Sequence, residues 1–285
     1  MHPRDELKPI ARKDWPALRD LFKKDWPKHE IGYNTIQNYI NWVAIDPKIK
    51  SLEVLGLNDN WRENGTFIVV DRFHLYMHSL DDSGDSLKRA LLLLDWDYSY
   101  MIVSAQESKR PVIQEVLRMC DVDVLWEVES SMKYELPVEE CLKLELNLPE
   151  GLHLKKLGVE HAVIANQVWP WRHEGSEYFM KRLAAWNISI GLFNESDEML
   201  AWSFVWPTGA IGPLEVAKAH LRKGYGTLIA KAIAKEVAKN GMNCYGTIVS
   251  GNDASVAMFV KLGFERVEDT YYVRTRAKKL VEYDH

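Results

Sequence analysis

The sequence predicts an α+β protein with a mixed α/β sheet, built as two related halves. Three observations carry this. Short runs rich in Val, Ile, Phe and Tyr alternate with segments whose apolar residues recur at three and four. The second half has the order β-α-α-β-β-β-α-β-α-β, and the first half reads in a similar order. A local echo also joins them. Trp26-Pro27-Lys28-His29-Glu30 and Trp169-Pro170-Trp171-Arg172-His173-Glu174 each follow a first helix and precede a helix with a tryptophan, Trp42 or Trp186. The 285 residues suit about two domains. The boundary falls near Pro137 to Gly151, which divides the chain into 1–140 and 150–285.

In the first half, residues 7–10 read as a short strand, and 14–26 and 35–44 as helices. Residues 51–57 form a strand, and 66–79 one long strand or two. A helix over 86–96, a strand over 100–105, a helix over 111–119 and a strand over 124–136 complete it. The second half opens with a strand over 151–157 and helices over 160–169 and 176–186. Strands over 188–194 and 199–206 flank the polar hairpin Glu195-Ser196-Asp197-Glu198, and a further strand runs over 210–216. A helix over 223–239 follows. Leu228, Ile229, Ala232, Ile233 and Val237 make its core face and Lys231, Lys235 and Lys239 its outer face, and Asn240-Gly241 stops it. A strand over 244–250, a helix over 253–262 closed by Gly263, and a final strand or strands over 264–276 follow.

The totals exclude several functions. A net charge of −5 argues against a dedicated nucleic-acid binder. Three cysteines, far apart and without a CxxC pair, argue against a disulfide framework or a zinc site, so no metal is expected. The N-terminus has no apolar signal core, and the dense apolar run Ala90 to Leu94 is too short to cross a bilayer. A cytoplasmic protein with no membrane partner is expected. No feature sets an oligomeric state.

Gly224 and Gly226 stand directly before the long helix of the second half. Backbone N–H groups at a helix N-terminus are unpaired, and the helix dipole adds positive charge there. Bare backbone would let a diphosphate reach them, with Arg222 and Lys223 alongside. A Walker A loop fails, because Thr227 and Leu228 follow Gly226. A GxGxxG fingerprint fails at Ile229. A tight turn that packs the helix remains the alternative.

The segment Leu214 to Ile233 and the later Asn252-Asp253-Ala254-Ser255 helix ending in Lys261-Leu262-Gly263-Phe264 together resemble the GNAT acyltransferase superfamily. The two-part chain looks most like its glycine N-acyltransferase-like branch. The resemblance implies acyl-CoA or acetyl-CoA as co-substrate. Its diphosphate would sit on the N–H groups of Arg222, Lys223, Gly224, Tyr225, Gly226 and Thr227, and its pantetheine beside Val216. Asn252 matches the family asparagine near the pantetheine, with a helix N-cap as the alternative role. Ser255 takes the small position facing the cofactor.

The sequence also departs from the family. Leu221 replaces the usual Arg or Gln before the loop, and Phe259 stands where a tyrosine often protonates the leaving thiolate. Ala210 and Gly212 occupy the positions that often hold a base. Glu215 is one candidate base, although its neighbours Leu214 and Val216 turn it to the opposite sheet face. His173, beside Glu174 between the first two helices, is another; water relays are a third route. The implied function is N-acyl transfer to a small-molecule amine such as glycine or another amino acid. A non-catalytic acyl-CoA sensor and a protein or peptide N-acetyltransferase are the alternatives. The first half, with Gly84 among Asp81, Asp82 and Asp85, is expected to bind no CoA.

Overall fold

A computed structural model of the chain describes residues 5–279. In chain order its elements are β1 (Leu7–Pro9), α1 (Trp15–Leu21), α2 (Glu30–Ile45), β2 (Leu52–Leu57), α3 (Trp61–Asn64), β3 (Phe67–Asp71), β4 (His74–His78), α4 (Asp85–Leu91), β5 (Met101–Gln106), α5 (Arg110–Met119) and β6 (Val124–Glu127). Then follow β7 (Ser131–Leu136), α6 (Val138–Lys143), β8 (His153–Lys155), α7 (Val159–Val168), α8 (Ser176–Trp186), β9 (Ser189–Phe193), β10 (Met199–Phe204), β11 (Glu215–Val216), α9 (Tyr225–Ala238), β12 (Cys244–Val249), α10 (Asp253–Lys261) and β13 (Glu265–Thr275).

The chain folds into two units that are not contiguous in sequence. One comprises the chain up to Ser131 together with the segment from Glu268 onward, and the other Met132–Val267. The sequence boundary near 137–151 thus lies inside the second unit. Two strands explain the offset: β7 is counted almost wholly with the second unit, and most of β13 with the first.

In the first unit the sheet runs β1-β2-β3-β4-β5-β13, and β6 also pairs β13. The β4–β5 pair is parallel and the others are antiparallel. Leu87 and Leu91 of α4, and Ile113, Val116 and Leu117 of α5, pack on Ile68, Leu75, Ile102 and Val273 of the sheet. The long stretch 66–79 is two strands, turned at Arg72, whose φ is 59°. The stretch 124–136 is likewise two strands. Helix α2 starts at Glu30, five residues before the apolar pattern suggests, and α4 ends at Leu91 rather than Trp96. Neither α3 nor α6 has enough turns to show a helical period.

In the second unit β11-β10-β9-β8 form an antiparallel sheet, with β11 at its edge. The β10–β9 ladder has a bulge between Met199 and Ala201, and from Ala201 onward its residues alternate between faces. Ile190, Leu192 and Ala201 turn towards α9, where Ile229, Ala232, Ile233 and Val237 complete an apolar core. Gly191 lies opposite Trp202 and faces the other way, towards Phe193 and α7. The predicted strand over 210–216 survives only in part. Ala210 makes a parallel bridge to Tyr245, Ile211 N–H donates to Tyr245 O at 2.8 Å, and then the path leaves β12. Pro213 has no N–H to continue that ladder.

Candidate active site

After Ile211 the chain no longer pairs with β12, which parts the two strands. Beyond that point, β11 pairs β10 on one side, and among the described residues its other edge carries no strand. Ala217 N–H donates to Leu200 O at 2.8 Å. Strand alternation then turns the N–H and C=O of Val216 away from β10, to the open edge. A free strand edge of this kind pairs readily with an extended chain carrying amide groups.

At the end of that edge lies the loop before α9. Gly224 caps the helix with φ 81°, a left-handed conformation that costs other residues about 1–2 kcal/mol. Arg222 also has positive φ, 63°. The first helical bond is Leu228 N–H to Gly224 O, at 3.2 Å. None of the N–H groups from Arg222 to Thr227 has an acceptor among the described residues. They form an N-terminal anion cradle of the kind described for helix starts. Lys223 and Arg222 are exposed beside it. His220 stacks on the Tyr225 ring at 6.2 Å, accepts from Lys223 Nζ at 3.3 Å, and donates from Nε2 to Glu198 at 3.3 Å.

Gly226 plays a different part from Gly224. It lies in the helix, and a Cβ there would meet Met258 Sδ and Val216 Cγ2 at 3.5 Å, ordinary contact distance. The fold therefore does not require glycine at this position. The missing side chain leaves open the passage between β11 and α10, into which the loop N–H groups lead.

The first unit supplies an internal control. Its corresponding loop before α4 has no free N–H cradle. Asp81 accepts from Ser83 N–H and Ser86 N–H, both at 3.0 Å, and Ser83 Oγ accepts from Asp85 N–H at 3.1 Å. The hydrogen bond from the Ser83 hydroxyl, ahead of those from Ser86, holds the Asp81 carboxyl down to about 2. That loop start is closed by its own carboxylate.

The other predicted residues lie on β11, α10 and the α7–α8 connection. Asn252 is the N-cap of α10, its Oδ1 accepting from Ser255 N–H at 3.2 Å. Phe259 is buried against Phe264 at 4.6 Å and Tyr134 at 6.4 Å, and its ring closes over Gly246. Glu215 sits opposite Trp202 in the β10–β11 ladder, on the face away from α9 and towards α7. Burial raises its carboxyl above the ordinary value. His173 lies on the α7–α8 connection, on that same face. Its Nδ1 is 3.0 Å from Trp171 O, which can only accept, so Nδ1 donates there.

Sequence reasoning missed an aromatic group on this face. Trp169 meets His173 and Trp206 at 6.0 and 6.1 Å, and Phe179 meets Trp206 at 4.9 Å. The one signal was the high tryptophan content, which does not say where side chains converge.

Comparison with known proteins fits this geometry. Residues 189–273 match the family model described as FR47-like protein. A Drosophila protein solved by structural genomics superposes with a TM-score of 0.86 at 20% identity, covering 96% of this chain and all of its own. A tandem GNAT protein from the clavulanic acid biosynthesis pathway gives 0.59 at 15% identity, over 98% of this chain and 100% of that one. The chain has the GNAT fold. Its two halves fit a tandem GNAT repeat, a reading supported too by a GCN5-related N-acetyltransferase from Sphaerobacter thermophilus, with TM-score 0.57, 11% identity and 98% coverage of both chains. Against curated proteins no significant match is found. Among the described residues no helix is long and apolar enough to cross a membrane.

Proposed function

We propose that the second unit of this GNAT protein is an acyl-CoA-dependent N-acyltransferase acting on a small amine, with glycine or another amino acid as the acceptor class. The observation that carries this is the run of unpaired N–H groups from Arg222 to Thr227 beside the open edge of β11. An anion with an extended amide-bearing arm satisfies both features at once, and acyl-CoA has that form. The loop would hold the diphosphate, Val216 would pair with the arm, and Gly226 would leave room for it. Acyl-CoA supplies a thioester activated for transfer.

The amine reacts as a free base, so a group beside it must take its proton, and we assign the sheet face towards α7 to the acceptor. Glu215 and His173 both face that side. Glu215 has the raised carboxyl of a base poised nearer neutrality, and His173 places an imidazole on the same face. The amine nitrogen bonds the acyl carbon, the carbon–sulfur bond breaks, and the thiolate takes a proton. Phe259 has none to give, so water supplies it. The first unit, with its loop closed by Asp81, serves as scaffold. A cytoplasmic location suits the cysteine usage.

A non-catalytic acyl-CoA sensor is the second reading, favoured by Phe259 at the position of the family's proton donor. Release of free thiol from acetyl-, benzoyl- and longer acyl-CoAs, with a panel of amino acids and peptides, decides between them. Turnover with an amino acid supports the proposal, turnover with peptides alone moves the acceptor class, and binding without turnover favours the sensor.

A further inference from the structure

A second concavity lies in the same unit, away from the loop. It is an open groove of about 560 Å³ between β8, the start of β9 and the C-terminal half of α9. Its floor is apolar, made by Leu146, Leu154, Ile188, Ile190 and Ala232. Its rim carries Lys155, Lys156, Lys235 and Lys239 against one carboxylate, Glu236. These residues of α9 begin about 8 Å of helix rise beyond Thr227 and extend to about 18 Å, so the groove is separate from the cofactor cradle.

The charges on the rim are only partly neutralised. Lys239 pairs with Glu236, and Lys155 with Asp197. Lys156 donates to Ala185 O at 3.2 Å, and Lys235 to the carbonyls of Leu142 and Leu144, both at 2.8 Å. Neither Lys156 nor Lys235 has a carboxylate partner among the described residues. A carbonyl satisfies a hydrogen bond but leaves the positive charge standing.

The first unit has a hollow at the equivalent place, of about 680 Å³, between β1, β2 and the end of α4. Glu53, Asp95 and Arg72 line that hollow, and no lysine does. The fold therefore supplies the concavity in both halves, whereas the lysine rim belongs to the second alone. A volume of this size suits a small molecule rather than a flat protein contact. The floor wants an apolar body and the rim an anionic head. Lysines acting as point charges, with no arginine fork and no array of backbone N–H groups, supply positive charge without a shaped recognition site, and a singly charged carboxylate head satisfies that demand.

We propose that this groove binds a small amphipathic carboxylate, its chain on the floor and its head beside Lys156 and Lys235. The proposal is independent of the acyl-transfer reading. Calorimetric titration with octanoate tests it, run on the free chain and again on the chain saturated with CoA. One octanoate per chain is expected, with the same affinity in both runs, because the cofactor cradle is elsewhere. Octan-1-ol, with the same chain and no charge, should bind roughly tenfold more weakly or worse, and Lys156→Glu should weaken octanoate by a similar factor. Lys156 is exposed, and the variant should keep the wild-type melting temperature. No binding at millimolar octanoate, equal binding of octan-1-ol, competition by CoA, or an unchanged affinity in Lys156→Glu would each overturn it.

Discussion

Replacing Gly224 by alanine isolates the conformational role of the loop. Gly224 has φ 81°, and a Cβ built on it meets nothing within 4 Å. Any effect of Gly224→Ala is therefore a backbone effect and not a clash. An L-residue in this conformation costs about 1–2 kcal/mol. The neighbouring N–H groups have no acceptor among the described residues, so little ties the loop to its conformation. In the variant the loop relaxes to negative φ, and the cost of restoring it falls on ligand binding. CoA affinity should drop roughly 5–30-fold, the equivalent of that cost. The melting temperature should barely change, because the relaxed loop carries no strain. Isothermal titration with CoA, paired with thermal unfolding of the same preparations, reads both quantities. Wild-type affinity in a folded Gly224→Ala protein would refute the idea that this loop geometry makes the cradle.

Other substitutions test the neighbouring parts. Gly226→Ala should keep or slightly raise stability, by up to about 1 kcal/mol from helix propensity, yet weaken CoA by intruding on the passage beside Val216; Gly226→Val should abolish binding in a folded protein. Glu215→Gln should lower turnover and flatten its rise with pH. Because burial raises the Glu215 carboxyl, its ionised form is disfavoured in the fold. The same variant should therefore melt higher than wild type above the raised value and equally below the ordinary carboxylate range. In the first unit, His78 packs against His29, with Nδ1 of His29 3.1 Å from its Nε2, and burial, ahead of the nearby His29 and Lys109 charges, pushes it down to about 3. The unfolded chain binds that proton from about 6.5 downward, so stability present above that pH is lost on acidification, by about 5 kcal/mol at pH 3 for the full shift. His78→Phe, whose flat ring can still lie over Gly32, should remove most of that acid sensitivity in pH-dependent urea melts.

Much of this was legible in the sequence, for physical reasons that differ by element. The core face of α9 reads directly, because Ile229, Ala232, Ile233 and Val237 repeat at helical spacing and are all buried. The facing of Glu215 reads from strand alternation, and the register opposite Trp202 agrees. The cradle reads from two glycines, although their reasons differ: Gly224 is fixed by its φ, and Gly226 by the space it leaves. What did not read was non-local. The early end of the 210–211 ladder depends on Pro213 meeting β12, some thirty residues away in sequence. The aromatic group of Trp169, Phe179 and Trp206 gathers three elements. The lysine groove joins the outer face of α9 to a strand edge from the start of the unit. The allocation of β7 and β13 to units is likewise a tertiary choice, because each strand has the same alternating pattern whichever sheet receives it.

One acyl-CoA site per chain is expected, in the second unit, at the cradle of Arg222 to Thr227. Equilibrium titration of the full chain with acetyl-CoA tests this most directly, with Gly226→Val measured beside it. The wild type should show a single site and the variant none. No binding by a folded wild type, two sites per chain, or a site that survives in Gly226→Val would contradict it.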